Sequence, residues 1–115
     1  MADFAEMNAV YAHHSFEKGA FALVHLGGMT IGHATYEPGW KWSTHVGPVA
    51  GTATCQVAHV GMVVSGRAAV AMEDGTIYEL AAGDVFAIAP GHDSWVIGEE
   101  PSVSLHFLGA EAYAS

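Results

Sequence analysis

The chain has 115 residues and a mass of 12.0 kDa, which is enough for one domain with a buried core and too little for two. Its formal charge is −9, from 3 Lys and Arg against 12 Asp and Glu, so it lacks the basic surface that follows nucleic acid phosphates. We therefore expect no nucleic acid partner. Hydrophobic residues make up 51% of the chain and charged residues 13%, a composition that excludes intrinsic disorder.

Cysteine usage and the N-terminus point to a reducing compartment. The single cysteine, Cys55, cannot form an internal disulfide, and the first ten residues carry acidic side chains where a secretory signal carries basic ones. The longest nearly uncharged stretch, residues 46–65, is interrupted by Gly47-Pro48 and contains His59, which disfavours a membrane span. The expectation is a soluble, cytoplasmic protein with no membrane partner.

Short runs rich in Val, Ile, Thr, Tyr and Phe recur between Gly or Pro breaks, whereas no window of twelve residues has a clean helical period. The chain is therefore predicted to be all-β. Eight strands are predicted, at residues 20–26, 30–36, 56–65, 68–72, 76–80, 85–88, 95–97 and 103–108. Short strands in so small a chain fit an antiparallel sandwich or barrel, which buries one face and covers its edges.

A tight hairpin is predicted in the second half of the chain. Asp74-Gly75 separates two predicted strands and tolerates the positive φ angles of a two-residue type I′ turn, so residues 68–80 should pair on themselves. No repeat or linker divides the sequence. The whole chain, residues 1–115, is expected to be one domain whose core spans about 20–108.

The N-terminal segment, residues 1–19, is expected to lie at the periphery of this domain. Residues 3–14 place Phe4, Met7 and Tyr11 three and four positions apart, on one side of a short helix. A helix of this length is marginal on its own, and a loose segment fits the same residues. This is the only helix that the sequence predicts.

Glycines and histidines recur at a regular spacing in the middle of the chain. Five residues separate Gly39 from His45, and six residues separate His59 from Gly66. This pattern resembles the first motif of the cupin family: Gly, five residues, His-x-His, three or four residues, Glu, six residues, Gly. Here Gly47 replaces the second His, His59 replaces the Glu, and the segment between the two histidines is longer than the family spacing.

A second motif follows in the sequence GDVFAIAPGHDSW. It resembles the second cupin motif, Gly, five residues, Pro-x-Gly-x-x-His. Gly83 opens it, Pro90 and Gly91 follow, and Ser94 replaces the final His, leaving His92 as the nearest imidazole. The two motifs cover about half of the chain, and the predicted strands extend the likeness to nearly all of it. The resemblance implies an antiparallel jelly-roll β-barrel.

The resemblance also implies a metal centre inside the barrel, held by His45, His59 and His92. Strand alternation places His59 on the same face as Gly61 and Val63, and the register of the family turns that face inward. Three neutral imidazoles suit one divalent transition metal, Fe, Zn, Ni or Mn, and leave positions open for water, a substrate oxygen or dioxygen. The structural alternative for each histidine is a single hydrogen bond to the backbone in a turn or core.

Other polar residues are left without an assigned role. Cys55 has the same strand parity as His59, and Gln56 has the opposite parity, but the Pro- and Gly-containing segment around them has no readable direction. His106 shares a polar face with two serines of the last strand and is expected to be solvated. His33 is a weaker candidate for the barrel lining.

Four aromatic residues lie in sequence around the two motifs and are predicted to form the walls of an apolar ligand pocket: Tyr36, Trp40, Trp42 and Trp95. The same residues could plug one end of the barrel or contact a second subunit. Because small cupins are commonly dimers, the resemblance implies a homodimer.

The expected function is that of a metal-binding cupin that acts on a small molecule, as a dioxygenase, isomerase or lyase. All these chemistries occur on the cupin frame, so the fold does not choose among them. The alternative is a non-catalytic cupin that binds or senses a small molecule without a functional metal, which the altered motifs favour. A third alternative is an accessory dimer that docks onto a partner enzyme.

Overall fold

The computed structural model describes residues 10–108, and within them the chain forms nine strands and two helices of a single turn each. The strands are β1 (Val10–Phe16), β2 (Gly19–Leu26), β3 (Met29–Tyr36), β4 (His59–Ser65), β5 (Arg67–Met72), β6 (Ile77–Ala81), β7 (Val85–Ile88), β8 (His92–Val96) and β9 (Ser102–Leu108). The helices, α1 (Trp42–His45) and α2 (Gly47–Ala50), lie between β3 and β4.

The strands form two antiparallel sheets. The larger sheet has the order β1-β2-β3-β9-β4-β7, and the smaller one has the order β6-β5-β8. The described residues do not form the closed barrel that was predicted. The free edge of β8 is met only by isolated bridges at Lys41 and Cys55, which belong to the connection between β3 and β4 rather than to a strand. This connection covers an edge that a barrel would close.

The centre of the larger sheet alternates strictly between buried and more exposed residues, as expected for a sheet with one inner face. The buried positions of its three central strands are Gly32, Ala34 and Tyr36 in β3, His59, Gly61 and Val63 in β4, and Ser102, Ser104 and His106 in β9. Gly61 is needed here because a Cβ at this position would collide with the carbonyl oxygen of Leu105 and lie 2.8 Å from Phe86 Cζ. The predicted inward face of β4 is confirmed.

The main hydrophobic core lies between the inner face of β2 and β3 and the connection that follows β3. Its buried members are Phe21, Leu23, Ala34, Tyr36, Trp40, Trp42, Cys55 and Val96. The rings of Tyr36 and Trp40 are stacked, with centroids 3.9 Å apart and planes inclined by 22°. These aromatic residues fix the position of the segment that leads into α1.

The prediction of an N-terminal helix is wrong where the structure describes it. Residues 10–14 belong to β1, which pairs with β2 in a hairpin with Phe16 opposite Gly19. Pairing with a neighbouring strand overrides the marginal helical pattern, since an isolated helix of this length has little stability of its own. Residues 3–9 of the predicted helix lie outside the described part. All eight predicted strands are present: β7 has the predicted ends, and the other seven have shifted ends.

The β5–β6 hairpin is confirmed, but its turn is longer than predicted. Residues 73–76 connect the strands, and the amide of Gly75 donates to Met72 O (3.0 Å) with Gly75 at φ 91°. Asp74 does not have the positive φ that a type I′ turn demands. Its Oδ1 instead accepts a hydrogen bond from Thr76 N (2.9 Å), which favours the longer turn.

Both described helices fall where the sequence predicts none. Each is one turn long, too short for a helical period to show in the sequence. Pro48 lies in the first turn of α2, where its missing N–H costs nothing, and Gly51 ends the helix at φ 79°. No helix among residues 10–108 has the length and apolar character needed to cross a membrane.

Candidate metal centre

Three buried side chains with metal-binding atoms meet between the two sheets: Cys55, His59 and His92. One ligand atom from each lies within 4.8 Å of the other two. Cys55 Sγ is 3.6 Å from His59 Nε2, and the rings of His59 and His92 are 5.5 Å apart in an edge-to-face arrangement. The described residues contain no other group of this kind.

Backbone pairing brings Cys55 to this position. The amide of Cys55 donates to His92 O (2.8 Å), and Cys55 O accepts from the amide of Gly91 (2.8 Å). Residues that oppose each other in an antiparallel bridge have side chains on the same face, so the thiol and the His92 imidazole both point inward. Gln56, the next residue, is exposed and outside the cluster.

The orientation of His92 is set by its second ring nitrogen. His92 Nδ1 lies 2.8 Å from the carbonyl oxygen of Ala89, and because a carbonyl only accepts, Nδ1 carries the proton. In the neutral ring, Nε2 therefore keeps its lone pair. A backbone carbonyl of this kind is the usual outer partner of a metal-binding histidine.

A third buried histidine, His106, lies beside the cluster on β9. Its ring is 5.1 Å from the ring of His59, and its Nε2 is 2.9 Å from Ser104 Oγ. The expectation of a solvated His106 is wrong, because only 8% of the residue is exposed. β9 lies between β3 and β4, so it shares their inner face. The side of β9 that carries Ser102, Ser104 and His106 is therefore the buried one.

Burial keeps these side chains uncharged. It lowers the pKa of His59 to about 4 and that of His106 to about 3, and the neighbouring histidines add to both shifts. Burial also lowers the pKa of His92, although the hydrogen bond to Ala89 O opposes the shift. The pKa of the Cys55 thiol is raised, again because of burial. At neutral pH the site therefore offers neutral imidazoles, which is the form that binds a metal.

The cluster borders a cavity of about 60 Å³. Its polar lining consists of Cys55, His59, His92, Ser94, Ser102, Ser104 and His106, and its apolar lining of Tyr36, Trp40, Trp42, Val63, Ala68, Val70, Leu80, Phe86, Ile88, Trp95 and Val96. The structure thus places all four predicted pocket aromatics on the wall of one cavity. That a ligand occupies this cavity stays a prediction.

Two of these aromatics carry a buried polar atom with no hydrogen-bond partner among the described residues. They are Trp40 and Trp42, of which 3% and 4% are exposed, and the atoms are their indole Nε1 nitrogens. Nearly all buried donors in proteins are paired, and an unpaired one costs about 1–3 kcal/mol. His106 Nδ1 is in the same condition.

The structure does not bring His45, the third predicted ligand, to the cluster. His45 ends α1, where its Nδ1 accepts a hydrogen bond from the amide of Lys41 (3.0 Å). The single turn of helix directs the imidazole back to the start of α1. His45 therefore has the structural role of a histidine that bonds the backbone in a turn. His33, the weaker candidate, is exposed on β3.

Sequence reasoning left out two residues of this site, Cys55 and His106. The alternation of Ser102, Ser104 and His106 was visible as a polar face, but alternation does not say which face is buried. Cys55 had the right parity, yet its direction depends on a bridge to a distant residue. Neither signal is readable before the strand order is known.

No protein-family profile and no curated protein sequence matches this chain. Solved structures do match it. One is a protein of unknown function (DUF1255) from Acidithiobacillus ferrooxidans, with 22% identity over 86% of this chain and 89% of the other, and a TM-score of 0.63. Another is the capsular polysaccharide assembling protein CapF from Staphylococcus aureus, with 14% identity over 88% of this chain and 28% of CapF, and a TM-score of 0.62.

A third match is a sugar phosphate isomerase of the cupin superfamily from Silicibacter pomeroyi, with 17% identity over 78% of this chain and 58% of the other, and a TM-score of 0.55. At these identities the likeness concerns the fold alone. Together with the two antiparallel sheets, it shows that this chain has a cupin-like fold.

Proposed function

We propose that the protein binds one divalent transition metal through Cys55, His59 and His92, and uses it to act on a small molecule in the adjoining cavity. The observation that carries the proposal is the meeting of three buried metal-binding atoms within 4.8 Å of one another. A cupin-like fold is consistent with it, since the resemblance implies a metal centre between the sheets.

The spacing of Cys55 Sγ and His59 Nε2 is that of two ligands on one tetrahedral ion. Bonds of about 2.3 Å to sulfur and 2.05 Å to nitrogen, at a tetrahedral angle, separate the two ligand atoms by about 3.6 Å. The distance between Cys55 Sγ and His59 Nε2 is 3.6 Å. His92 Nε2, whose lone pair is left free by the Nδ1 contact with Ala89, supplies the third donor.

The donor types narrow the choice among Fe, Zn, Ni and Mn. One thiolate and two imidazoles favour Zn(II), Fe(II) or Ni(II), whereas Mn(II) prefers oxygen ligands. The raised pKa of the Cys55 thiol means that metal binding must displace its proton. With one thiolate bound, the centre would carry a net charge of about +1.

When bound, such a metal would supply a Lewis acid or a redox centre beside the cavity. Other residues of the cavity wall determine the environment of the proposed metal. Trp40 and Trp42 contribute aromatic rings to the cavity wall, and His106, held by Ser104, adds a neutral imidazole to it. A dioxygenase, isomerase or lyase reaction fits this arrangement, and the choice among them is made by the substrate.

The first test is metal content, measured by mass spectrometry on tag-free protein dialysed against Zn(II). Wild type should hold close to one Zn(II) per chain, and Cys55→Ser and His59→Gln should hold almost none. His45→Gln is the matched control. It changes a histidine of the same predicted set that lies outside the cluster, so it should retain its metal.

Cobalt provides a second readout that reports the thiolate directly. Co(II) bound to Cys55 should give a sulfur-to-metal charge-transfer band in the near ultraviolet, absent in Cys55→Ser at unchanged circular dichroism. A folded wild type that takes up neither metal would reject the metal centre. The metal-free binding cupin would then be the better account of the altered motifs.

A further inference from the structure

The two tryptophans with unpaired indole nitrogens are placed side by side by the backbone. Lys41 lies between them in extended conformation, with φ −142° and ψ 128°, and forms a bridge with Trp95, while Trp40 O accepts from the amide of Val96 (3.1 Å). In an extended chain, successive residues point to opposite faces and alternate residues share a face. Lys41 therefore points outward, and Trp40 and Trp42 both point to the cavity side.

The contact of Trp42 with Gly47 defines the direction in which the Trp42 ring faces. A Cβ placed on Gly47 would lie 3.2 Å from Trp42 Cζ3 and 3.6 Å from Cε3, so this edge of the indole faces α2. Nε1 is on the opposite edge of the ring, away from α2. Trp40 is held by its stack on Tyr36, so neither indole is free to turn its N–H toward solvent.

The rest of the lining restricts what these donors can bind. The cavity wall has no Lys, Arg, Asp or Glu among the described residues, so nothing but a metal would neutralise a phosphate. Its volume of about 60 Å³ is well below the roughly 150 Å³ of an apolar cavity that holds benzene. A ligand that fits is smaller than a benzene ring and carries no charged group that needs an ion-pair partner.

We propose that the cavity takes a small uncharged carbonyl compound whose oxygen accepts hydrogen bonds from Trp40 Nε1 and Trp42 Nε1. Such a ligand satisfies two buried donors that have no hydrogen-bond partner among the described residues. That the same compound is the substrate rests on the proposed metal centre. The indole contacts do not need the metal, and a phosphorylated sugar is excluded as the ligand.

The test is a nuclear magnetic resonance titration of the ¹⁵N-labelled, Zn(II)-treated protein with acetone as the carbonyl probe. The chain has 3 Trp, so three indole N–H signals are expected. Trp40→Phe and Trp42→Phe assign two of them by deletion. Trp95 also lines the cavity, but its ring lies beneath the outward-pointing Lys41 ammonium at 5.4 Å, so its indole supplies the third signal for comparison rather than a fixed reference.

Acetone should move the signals of Trp40 and Trp42 downfield with a dissociation constant in the millimolar range, as suits so small a ligand, and move that of Trp95 much less. Each Phe variant should bind acetone about tenfold more weakly, a difference of about 1.4 kcal/mol. Xenon, which fills apolar cavities without accepting a hydrogen bond, should not cause the downfield shifts. Inorganic phosphate, added to the metal-free protein, should leave both signals unchanged.

The proposal is overturned if acetone moves neither signal, if xenon gives the same shifts, or if phosphate binds the metal-free protein as well as acetone does. The wild-type titration decides this even if a Phe variant does not fold. Zinc content, measured on the same samples, separates the two proposals. Bound zinc without indole shifts rejects the carbonyl ligand alone, and indole shifts without bound zinc reject the metal centre alone.

Discussion

At the scale of single residues, the buried histidines are a source of pH sensitivity. The ring of His106 packs against the rings of Phe21, Phe86 and His59, and none of these three neighbours carries a negative charge. A proton on this imidazole would be buried without a counter-charge, which is why its pKa falls to about 3. In the unfolded chain a histidine has a pKa of about 6.5.

We therefore expect the free energy of unfolding of the metal-free protein to decrease from pH 7 to pH 5. Between pH 6.5 and 3 the unfolded chain binds a proton at His106 and the folded chain does not, so stability is lost as the pH falls through this window. At pH 5 the loss amounts to about 2 kcal/mol for one such histidine. Urea unfolding in the presence of chelator measures it.

A variant of His106 separates the contribution of this histidine to the pH dependence from that of the Asp and Glu carboxylates. His106→Gln, which keeps a polar contact for Ser104, should reduce the decrease between pH 7 and pH 5 by about 2 kcal/mol. His33→Gln is the control, since His33 is exposed. An unchanged pH dependence in His106→Gln would show that this histidine is not held neutral in the folded state.

At the scale of elements, one carboxylate attaches α1 to β8. Asp93 Oδ1 accepts from the amides of Ser43 and Ser94, both at 2.9 Å, and Asp93 Oδ2 accepts from Ser43 Oγ at 2.7 Å. Lys41 Nζ lies 3.9 Å from the same carboxylate. Because Trp42 begins α1, this attachment also keeps its indole over the cavity.

Asp93→Ala should loosen this attachment. The variant loses three hydrogen bonds to a charged acceptor, so we expect the free energy of unfolding to fall by about 2–4 kcal/mol. The amides of Val46 and Ala50, which close α1 and α2, should exchange with solvent faster than in wild type. Hydrogen exchange followed by mass spectrometry or nuclear magnetic resonance measures both effects.

The matched control for this variant is Lys41→Met. The ion pair of Lys41 with Asp93 is long and half exposed, so its loss should cost less than about 1 kcal/mol and leave exchange in α1 and α2 unchanged. If Lys41→Met loosened the helices as much as Asp93→Ala does, the attachment would be an ion pair rather than the hydrogen bonds to Ser43.

At the scale of the whole molecule, the homodimer implied by the cupin resemblance stays a prediction. Large apolar side chains are exposed on the described surface: Val49, Ile77, Tyr78 and Val85 are 90%, 58%, 56% and 72% exposed. We expect light scattering to give twice the chain mass of 12.0 kDa at micromolar concentration. A mass of one chain across the whole concentration range would contradict the expectation.

The sequence by itself determined most of the strands. Alternation of apolar and polar residues and the Gly or Pro breaks between runs are local signals, and a strand such as β9, which follows Pro101, shows both. The Asp74-Gly75 pair marked a hairpin for the same reason. Where a local signal was weak, as at residues 10–14, pairing with β2 decided the structure instead.

The site depended on contacts between residues far apart in the chain. His59 was predicted from the cupin resemblance, whose register turns its strand face inward, but the inward direction of His106 follows from the place of β9 between β3 and β4. Cys55 reaches the cluster through a backbone bridge to His92, and His45 is directed away from it by one turn of helix. A period of two defines the two faces of a strand, and only the packing of the sheets decides which face is buried.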